Sequence, residues 1–211
     1  MNLKNLLFWN VDTQVDFIEP EGKLYVEGSE FIRPVLDKLT RLAAEKSIRV
    51  VNTADCHYPD SPEIDSSPDY IETFPEHCMA GSRGAEFIEE TNPEDPLIFD
   101  WDKEYRITPD LFETNKYRNY ILRKDAFDVF EGNPHSESIL NCLNSEIIVV
   151  YGVATNVCVD AEVKGLRKRE KEVYVVEDAI KELPNLPLPF SDWEELGVKM
   201  VKFSELVKML N

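Results

Sequence analysis

Apolar positions along the chain fall into two rhythms. Continuous runs occupy Leu6 to Val11, Ile48 to Thr53, Tyr120 to Arg123, Glu146 to Val153 and Val173 to Glu177, with a weaker run from Val198 to Phe203. Runs of this length without polar alternation predict strands buried on both faces. Between them the spacing turns helical. Ser29 to Lys46 places Phe31, Ile32, Val35, Leu36, Leu39, Leu42 and Ala43 on one face, with Ser29 as the expected N-cap. Pro134 to Leu143, Asn156 to Lys168 and Ser204 to Leu210 are the other expected helices. Strands that alternate with helices predict an α/β fold: three layers, α/β/α, around a mostly parallel, doubly wound sheet. Two stretches break the rhythm, Tyr58 to Glu76 and Thr91 to Pro109. Both are expected as long loops on a single domain spanning 1–211, and long loops in a compact domain often carry function.

In an open parallel sheet ligands bind beyond the carboxyl ends of the strands. Asp12 follows the first run and Asp55 and His57 follow the second. Lys124 ends the third, Cys158 lies just past the fourth at a helix start, and Asp178 follows the fifth. Cys158 in the first turn of a helix sits in the positive end of its dipole, where a thiolate is favoured and the thiol pKa falls; the plainer reading is a buried structural cysteine. Asp12 can serve as a general base for a thiol or merely cap a turn. Lys124 can hold charged partners or be an ordinary surface lysine. The chain has three histidines, and two of them, His57 and His77, lie in Asp55-Cys56-His57 and Pro75-Glu76-His77-Cys78. In extended backbone, residues 55 and 57 point the same way, so Asp55 and His57 can grip one metal that His77 completes. The alternatives are two ordinary loop histidines, or a structural zinc using Cys56 and Cys78, whose adjacency to histidines does not match zinc-finger spacing.

Charge and length narrow the field. The 211 residues carry 23 Lys+Arg against 41 Asp+Glu, a net charge of −18. With no basic patch, nucleic acid and anionic membranes are not expected partners. No apolar run reaches the ~20 residues of a membrane span, and the first run ends in Asp12 without a cleavage site, so a cytoplasmic protein is expected. Its four cysteines are expected as free thiols.

Five segments together resemble the isochorismatase-like cysteine hydrolases, and among them the nicotinamidases: Asp12-Thr13-Gln14-Val15-Asp16-Phe17, Asp55-Cys56-His57, Pro75 to Glu86, Lys124 to Phe130, and Gly152-Val153-Ala154-Thr155-Asn156-Val157-Cys158-Val159. The resemblance implies a catalytic triad of Asp12, Lys124 and Cys158, and a cis peptide between Val153 and Ala154. It implies an oxyanion hole from the N–H groups of Ala154 and Cys158, and substrate contacts at Phe17, Val153 and Ala154. Asp55, His57 and His77 match the ligands of one divalent ion, zinc with iron or manganese as alternatives. A further ligand from Glu63, Asp65 or Ser66 and an aromatic wall from Tyr70 or Phe127 complete the expectations. The family often has Trp after the metal aspartate and Pro after the histidine; here Cys56 and Tyr58 stand there. The implied reaction is deamidation of nicotinamide, a small-molecule amide, with another hydrolase activity of the family (isochorismate, carbamoyl or ureido substrates) or a non-enzymatic relic as alternatives. Relatives are often homo-oligomers, which implies the same here.

Overall fold

The computed structural model describes residues 3–113 and 116–211. In chain order these form β1 (Leu6–Val11), α1 (Val15–Ile18), α2 (Arg33–Glu45), β2 (Arg49–Asp55), β3 (Leu97–Phe99), α3 (Asp110–Glu113), β4 (Asn119–Lys124), α4 (Val129–Gly132), α5 (Ser136–Leu143), β5 (Ile147–Val153), α6 (Cys158–Lys168), β6 (Glu172–Lys181), α7 (Phe190–Glu195), β7 (Lys199–Val201) and α8 (Phe203–Leu210). Among the described residues the strands build one seven-stranded sheet in the order β3-β4-β2-β1-β5-β6-β7. Every pairing is parallel. The three-layer α/β/α expectation therefore holds.

The alternation along each strand sorts the core. Leu6, Phe8, Val50, Val149 and Tyr151 face Leu36 and Leu39 of α2 and Leu206 of α8. Leu7, Trp9, Val51 and Val150 face Ile139 and Leu140 of α5, Val159 and Val163 of α6, and Trp193 of α7. Leu36 and Leu39 are fully buried, each contributing about 1.5–3 kcal/mol. Three expectations about this layer change. Phe31 is 78% exposed. It belongs to a 3-10 turn, Ser29–Ile32, that precedes α2 and is out of phase with it. Ser29 caps nothing; its hydroxyl donates to the carbonyls of Phe17 and Ile18 instead. The Thr91–Pro109 stretch is not wholly irregular, since it carries edge strand β3.

The sheet starts at its centre. The chain enters on β1, builds one wing through β2, β3 and β4, then returns to β5 on the other side of β1. That reversal opens a crevice at the carboxyl end of β1. Val11 lies in register with Thr53 on one side and Gly152 on the other, so the ends of β1, β2 and β5 converge. Gly152 makes this approach sterically feasible. It has φ +125°, and a Cβ there would lie 2.0 Å from the Val11 carbonyl oxygen. The Val153–Ala154 peptide that follows is cis.

Candidate active site

Three strand ends and one helix start deliver the first cluster. Asp12 leaves β1 with φ +47°, which turns its carboxylate toward β2. There Oδ1 accepts a hydrogen bond from the Thr53 hydroxyl at 2.7 Å. Lys124, the last residue of β4, is fully buried; its Nζ lies 2.9 Å from Asp12 Oδ2 and 2.5 Å from Asp55 Oδ1. The same ammonium donates to Cys158 Sγ at 3.7 Å. Asp12, Asp55 and Cys158 each bring one ligand atom to within 4.8 Å of the others. Asp12, Lys124 and Cys158 thus meet as the sequence predicted, and Lys124 is not a surface lysine.

Electrostatics here are set by burial. Burial disfavours the charged form of Lys124, but the flanking carboxylates of Asp12 and Asp55 outweigh it and hold the ammonium well above its ordinary pKa. Burial raises Asp12, opposed by Lys124. Burial pushes the Cys158 thiol well up; the Lys124 ammonium opposes this, and the nearby carboxylates of Asp12 and Asp55 add to it. This corrects the expectation of a lowered thiol pKa. A helix terminus is worth about 0.3–1 kcal/mol, less than one pKa unit, whereas full burial shifts a group by up to ~3–5 units. Burial thus favours the neutral thiol at Cys158, and Asp12 Oδ2 accepts no aligned hydrogen bond although Lys124 Nζ lies 2.9 Å away.

The second cluster adjoins the first through Asp55. Burial tends to raise its carboxyl, yet Lys124 and the imidazoles of His57 and His77 hold it well below the usual range. Its Oδ2 lies 3.6 Å from His57 Nε2 and 3.7 Å from His77 Nε2. Glu63 Oε2 lies 3.8 Å from His57 Nε2. One donor atom from each of Asp55, His57, Glu63 and His77 falls within 4.8 Å of the rest, and all four residues are buried. His77 Nδ1 donates to the Pro75 carbonyl at 2.8 Å, which leaves the Nε2 lone pair facing the cluster. Both ring nitrogens of His57 and Oε2 of Glu63 are buried without hydrogen-bond partners. Buried polar atoms rarely stay unpaired, and two imidazoles with two carboxylates suit a divalent transition metal. The donor set therefore fits one ion. Of the three further ligands the sequence offered, the structure brings in Glu63. Asp65 and Ser66 are exposed, and Asp65 is occupied by the Ser67 N–H.

A narrow pocket opens against both clusters, lined by Phe17, Leu24, Val26, Phe74, Phe127, Ala154, Val157 and Leu183 together with Asp55, His77 and Cys158. Phe17 tilts against His77 at 5.5 Å. Phe127 lines the pocket, but Tyr70 does not: it is 58% exposed and meets only the edge of Phe74. Phe74, which the sequence reading missed, supplies the other aromatic wall. Ala154 lines the pocket, while Val153 is fully buried in the core and contributes no side chain to it. Asp178 is also elsewhere. Strand β6 runs past it to Lys181, and its carboxylate accepts the Phe203 N–H.

Several residues that sequence reasoning passed over hold these clusters in place. The buried Gln14 amide pairs with both the N–H and the C=O of Asp55, each at 2.8 Å, and donates also to Ala85 O. Asp16 accepts the Cys78 N–H at 2.7 Å, fixing the backbone next to His77. Trp101 donates to Cys56 O at 3.0 Å, bracing the peptide between Asp55 and His57. Glu162, one turn beyond Cys158, is fully buried against the Trp9 indole N–H at 2.5 Å.

Comparison with known proteins agrees with this fold. A nicotinamidase/pyrazinamidase of Mycobacterium tuberculosis is 34% identical over 77 residues, which cover 36% of this chain and 40% of that protein. A zinc-bound pyrazinamidase of Pyrococcus horikoshii superposes with a TM-score of 0.73 at 26% identity over 94% of this chain and 99% of that one. An N-carbamoylsarcosine amidase of Thermoplasma acidophilum gives a TM-score of 0.71 at 23% identity, covering 94% and 96% of the two chains. The isochorismatase domain model matches residues 6–187, nearly the whole sheet and both clusters, and the chain belongs to the isochorismatase family.

Proposed function

We propose that the protein is a cysteine-dependent amidohydrolase that converts nicotinamide to nicotinate and ammonia through a thioester. The observation that carries this reading is the convergence of Asp12, Lys124 and Cys158 on an aromatic-walled pocket that Asp55 and His77 of a four-donor metal cluster also line.

Asp12 takes the Cys158 proton onto Oδ2, and the thiolate attacks the amide carbon to form the C–S bond. Lys124 stays within reach of both charges throughout, so the transfer separates little net charge. The N–H groups of Ala154 and Cys158 receive the oxyanion; Cys158 opens α6, and first-turn N–H groups have no partner within a helix. Asp12 returns its proton to the departing nitrogen as the C–N bond breaks and ammonia leaves. Asp12 then accepts a proton from water, which attacks the thioester, and returns it to the sulfur as the C–S bond breaks, giving the acid, the free thiol and an ionised Asp12. Asp55, His57, Glu63 and His77 would hold the divalent ion, whose contribution is a Lewis acid for the pyridine nitrogen. Phe17, Phe74 and Phe127 sandwich the ring, and this fixed orientation is worth several kcal/mol of barrier.

The pocket also discriminates among family chemistries. Isochorismate and N-carbamoylsarcosine carry carboxylates, and a buried carboxylate needs a cationic or hydrogen-bonding partner. No Arg or Lys is among the residues lining this pocket, and Lys124 lies behind it, engaged by two aspartates; in this reading the divalent ion and the free N–H groups are taken up by the ring nitrogen and the reacting carbonyl, which leaves no partner for a second carboxylate. Apolar walls favour an uncharged ring. The test is ammonia release from nicotinamide by purified protein, as isolated, after chelation, and after zinc or iron add-back. Release that depends on metal supports the reading. No release under any metal condition, with turnover of a carbamoyl or ureido compound instead, refutes it.

A further inference from the structure

One wall of the pocket is held in a way the reaction does not require. Between β6 and α7 the chain runs Glu182-Leu183-Pro184-Asn185-Leu186-Pro187-Leu188-Pro189. Three prolines in six residues stiffen this strap and remove the N–H groups that could tie it to a sheet. Asn156 ties it instead. Its Nδ2 donates to Leu183 O at 3.0 Å and Leu186 O at 3.2 Å, and its Oδ1 accepts the Leu183 N–H at 2.9 Å. The neighbouring Thr155 N–H donates to Lys181 O at 2.8 Å, anchoring the base of the strap. Asn156 does not itself line the pocket. Leu183 does, together with Phe74, Phe127 and Val157.

We propose that Asn156 is a positioning residue for acyl-group selectivity: it clamps the 182–189 strap so that Leu183 closes the pocket to the width of one flat ring. The identity of the ring rests on the proposed amidase reading, and the clamp rests on geometry alone. A stiff strap moves as a unit, so the three bonds at Asn156 decide where Leu183 stands. Loss of the clamp widens the wall near Cys158 and leaves Asp12, Lys124 and Cys158 untouched.

The experiment compares wild type, Asn156→Ala, Asn156→Asp and Leu183→Ala. The aspartate variant keeps the acceptor for Leu183 N–H and loses both donors, and serves if the alanine variant fails to fold. Two readouts are taken. The first is the rate of alkylation of Cys158 by iodoacetamide and by N-benzyl iodoacetamide, read by peptide mass spectrometry so that Cys56, Cys78 and Cys142 are resolved; it needs no turnover. The second is kcat and KM for nicotinamide and for the larger quinoline-3-carboxamide. Asn156→Ala and Leu183→Ala should each raise the benzyl-to-small alkylation ratio about 10-fold, and Asn156→Ala should shift the kcat/KM ratio toward the bicyclic amide by a similar factor, the range a pocket wall discriminates. An alkylation ratio unchanged in the Asn156 variants overturns the proposal, whether or not Leu183→Ala moves it. A shifted alkylation ratio in a protein that hydrolyses neither amide leaves the clamp standing and removes the nicotinamidase reading.

Discussion

Replacing Lys124 by Met tests the charge logic of the site directly. The substitution keeps the apolar stem and removes an ammonium that lies 2.9 Å from Asp12 Oδ2 and 2.5 Å from Asp55 Oδ1. At an effective dielectric of ~20, one such contact at 2.9 Å is worth about 6 kcal/mol of Coulomb attraction. Relief from burying the ammonium offsets part of this, and breaking a buried pair costs about 3–5 kcal/mol in practice. For a domain of this size that is a fall in Tm of roughly 6–20 °C. The cost must depend on pH. Without Lys124 the two carboxylates face each other, so Asp12, already raised by burial, moves further up. The folded variant then holds a proton that the unfolded chain releases near the ordinary aspartate value of 3.8. A folded pKa raised in this way gives stability that is present at low pH and lost as pH rises. Denaturant melts of metal-free protein at pH 5 and pH 8 measure it: the deficit of the variant should be full at pH 8 and smaller at pH 5. Asp12→Asn added to Lys124→Met should recover part of the loss at pH 8. A deficit below about 1 kcal/mol at pH 8, or one that grows as pH falls, refutes the reasoning, because a buried carboxylate left unpaired cannot be that cheap.

Other outcomes follow from the same geometry. Cys158→Ala should reduce amide turnover by more than about 10⁴-fold with metal content by mass spectrometry unchanged; substantial remaining turnover would remove the thiol from the mechanism. Gly84→Ala would set a Cβ 2.0 Å from Asp16 Oδ2, the oxygen that holds Cys78 N–H beside His77. Zinc affinity, measured by chelator competition, should fall about 10–100-fold, the usual cost of losing an outer support, and an unchanged affinity would show the clamp to be irrelevant. Burial, then Asp55, push the Glu63 carboxyl from 4.5 up to about 8 in the metal-free protein. The folded state therefore keeps a proton through that window that the unfolded chain has lost, and Glu63's contribution to metal-free stability declines as pH rises from 4.5 to 8. A cation must displace that proton, so apparent zinc affinity should climb with pH up to about 8. Calorimetry in two buffers of different ionisation enthalpy should register proton release at pH 7; none would contradict the assignment of Glu63 as a ligand.

The parts that were readable in the sequence are those where one local rule dominates. β1, β2 and β5 are buried on both faces, so they appear as largely apolar runs without strict polar alternation. Their carboxyl ends, with that of β4, then point to Asp12, Asp55, His57, Lys124 and Cys158 without further information. β3 was hidden because three residues at a sheet edge leave no periodicity to count. Glu63 could not be told from Asp65 or Ser66 because loop spacing does not determine burial, and burial is what separates them. Gln14 and Asp16 act on backbone atoms 41 and 62 residues away, and no local pattern encodes such a partner. The Cys158 thiol went the wrong way because a helix start is visible in sequence, whereas the carboxylates and apolar shell gathered around it from four elements are not.

Asp55 is where the two halves of the site become one. A carboxylate has two oxygens, and here Oδ1 faces the Lys124 ammonium while Oδ2 faces the imidazoles of His57 and His77. Withdrawing electron density through Oδ2 weakens the hold of Oδ1 on Lys124 and leaves the ammonium freer to serve Asp12 and Cys158. In the proposed reading, a cation held at Asp55, His57, Glu63 and His77 and the charge balance of Asp12, Lys124 and Cys158 would therefore be coupled through one side chain. Gln14 holds the backbone of that residue from both its N–H and its C=O, so the coupling is carried by a carboxylate that cannot rotate away with its main chain. Asp55→Asn would break it at both ends. The amide nitrogen can present a donor to the ammonium or to the imidazoles, but its single oxygen cannot accept from both sides at once. The variant should lose metal affinity and, in metal-free protein, lower the pH at which Asp12 ionises, because the Asp55 charge raises it, whereas His77→Ala should lose metal affinity and leave that metal-free ionisation in place.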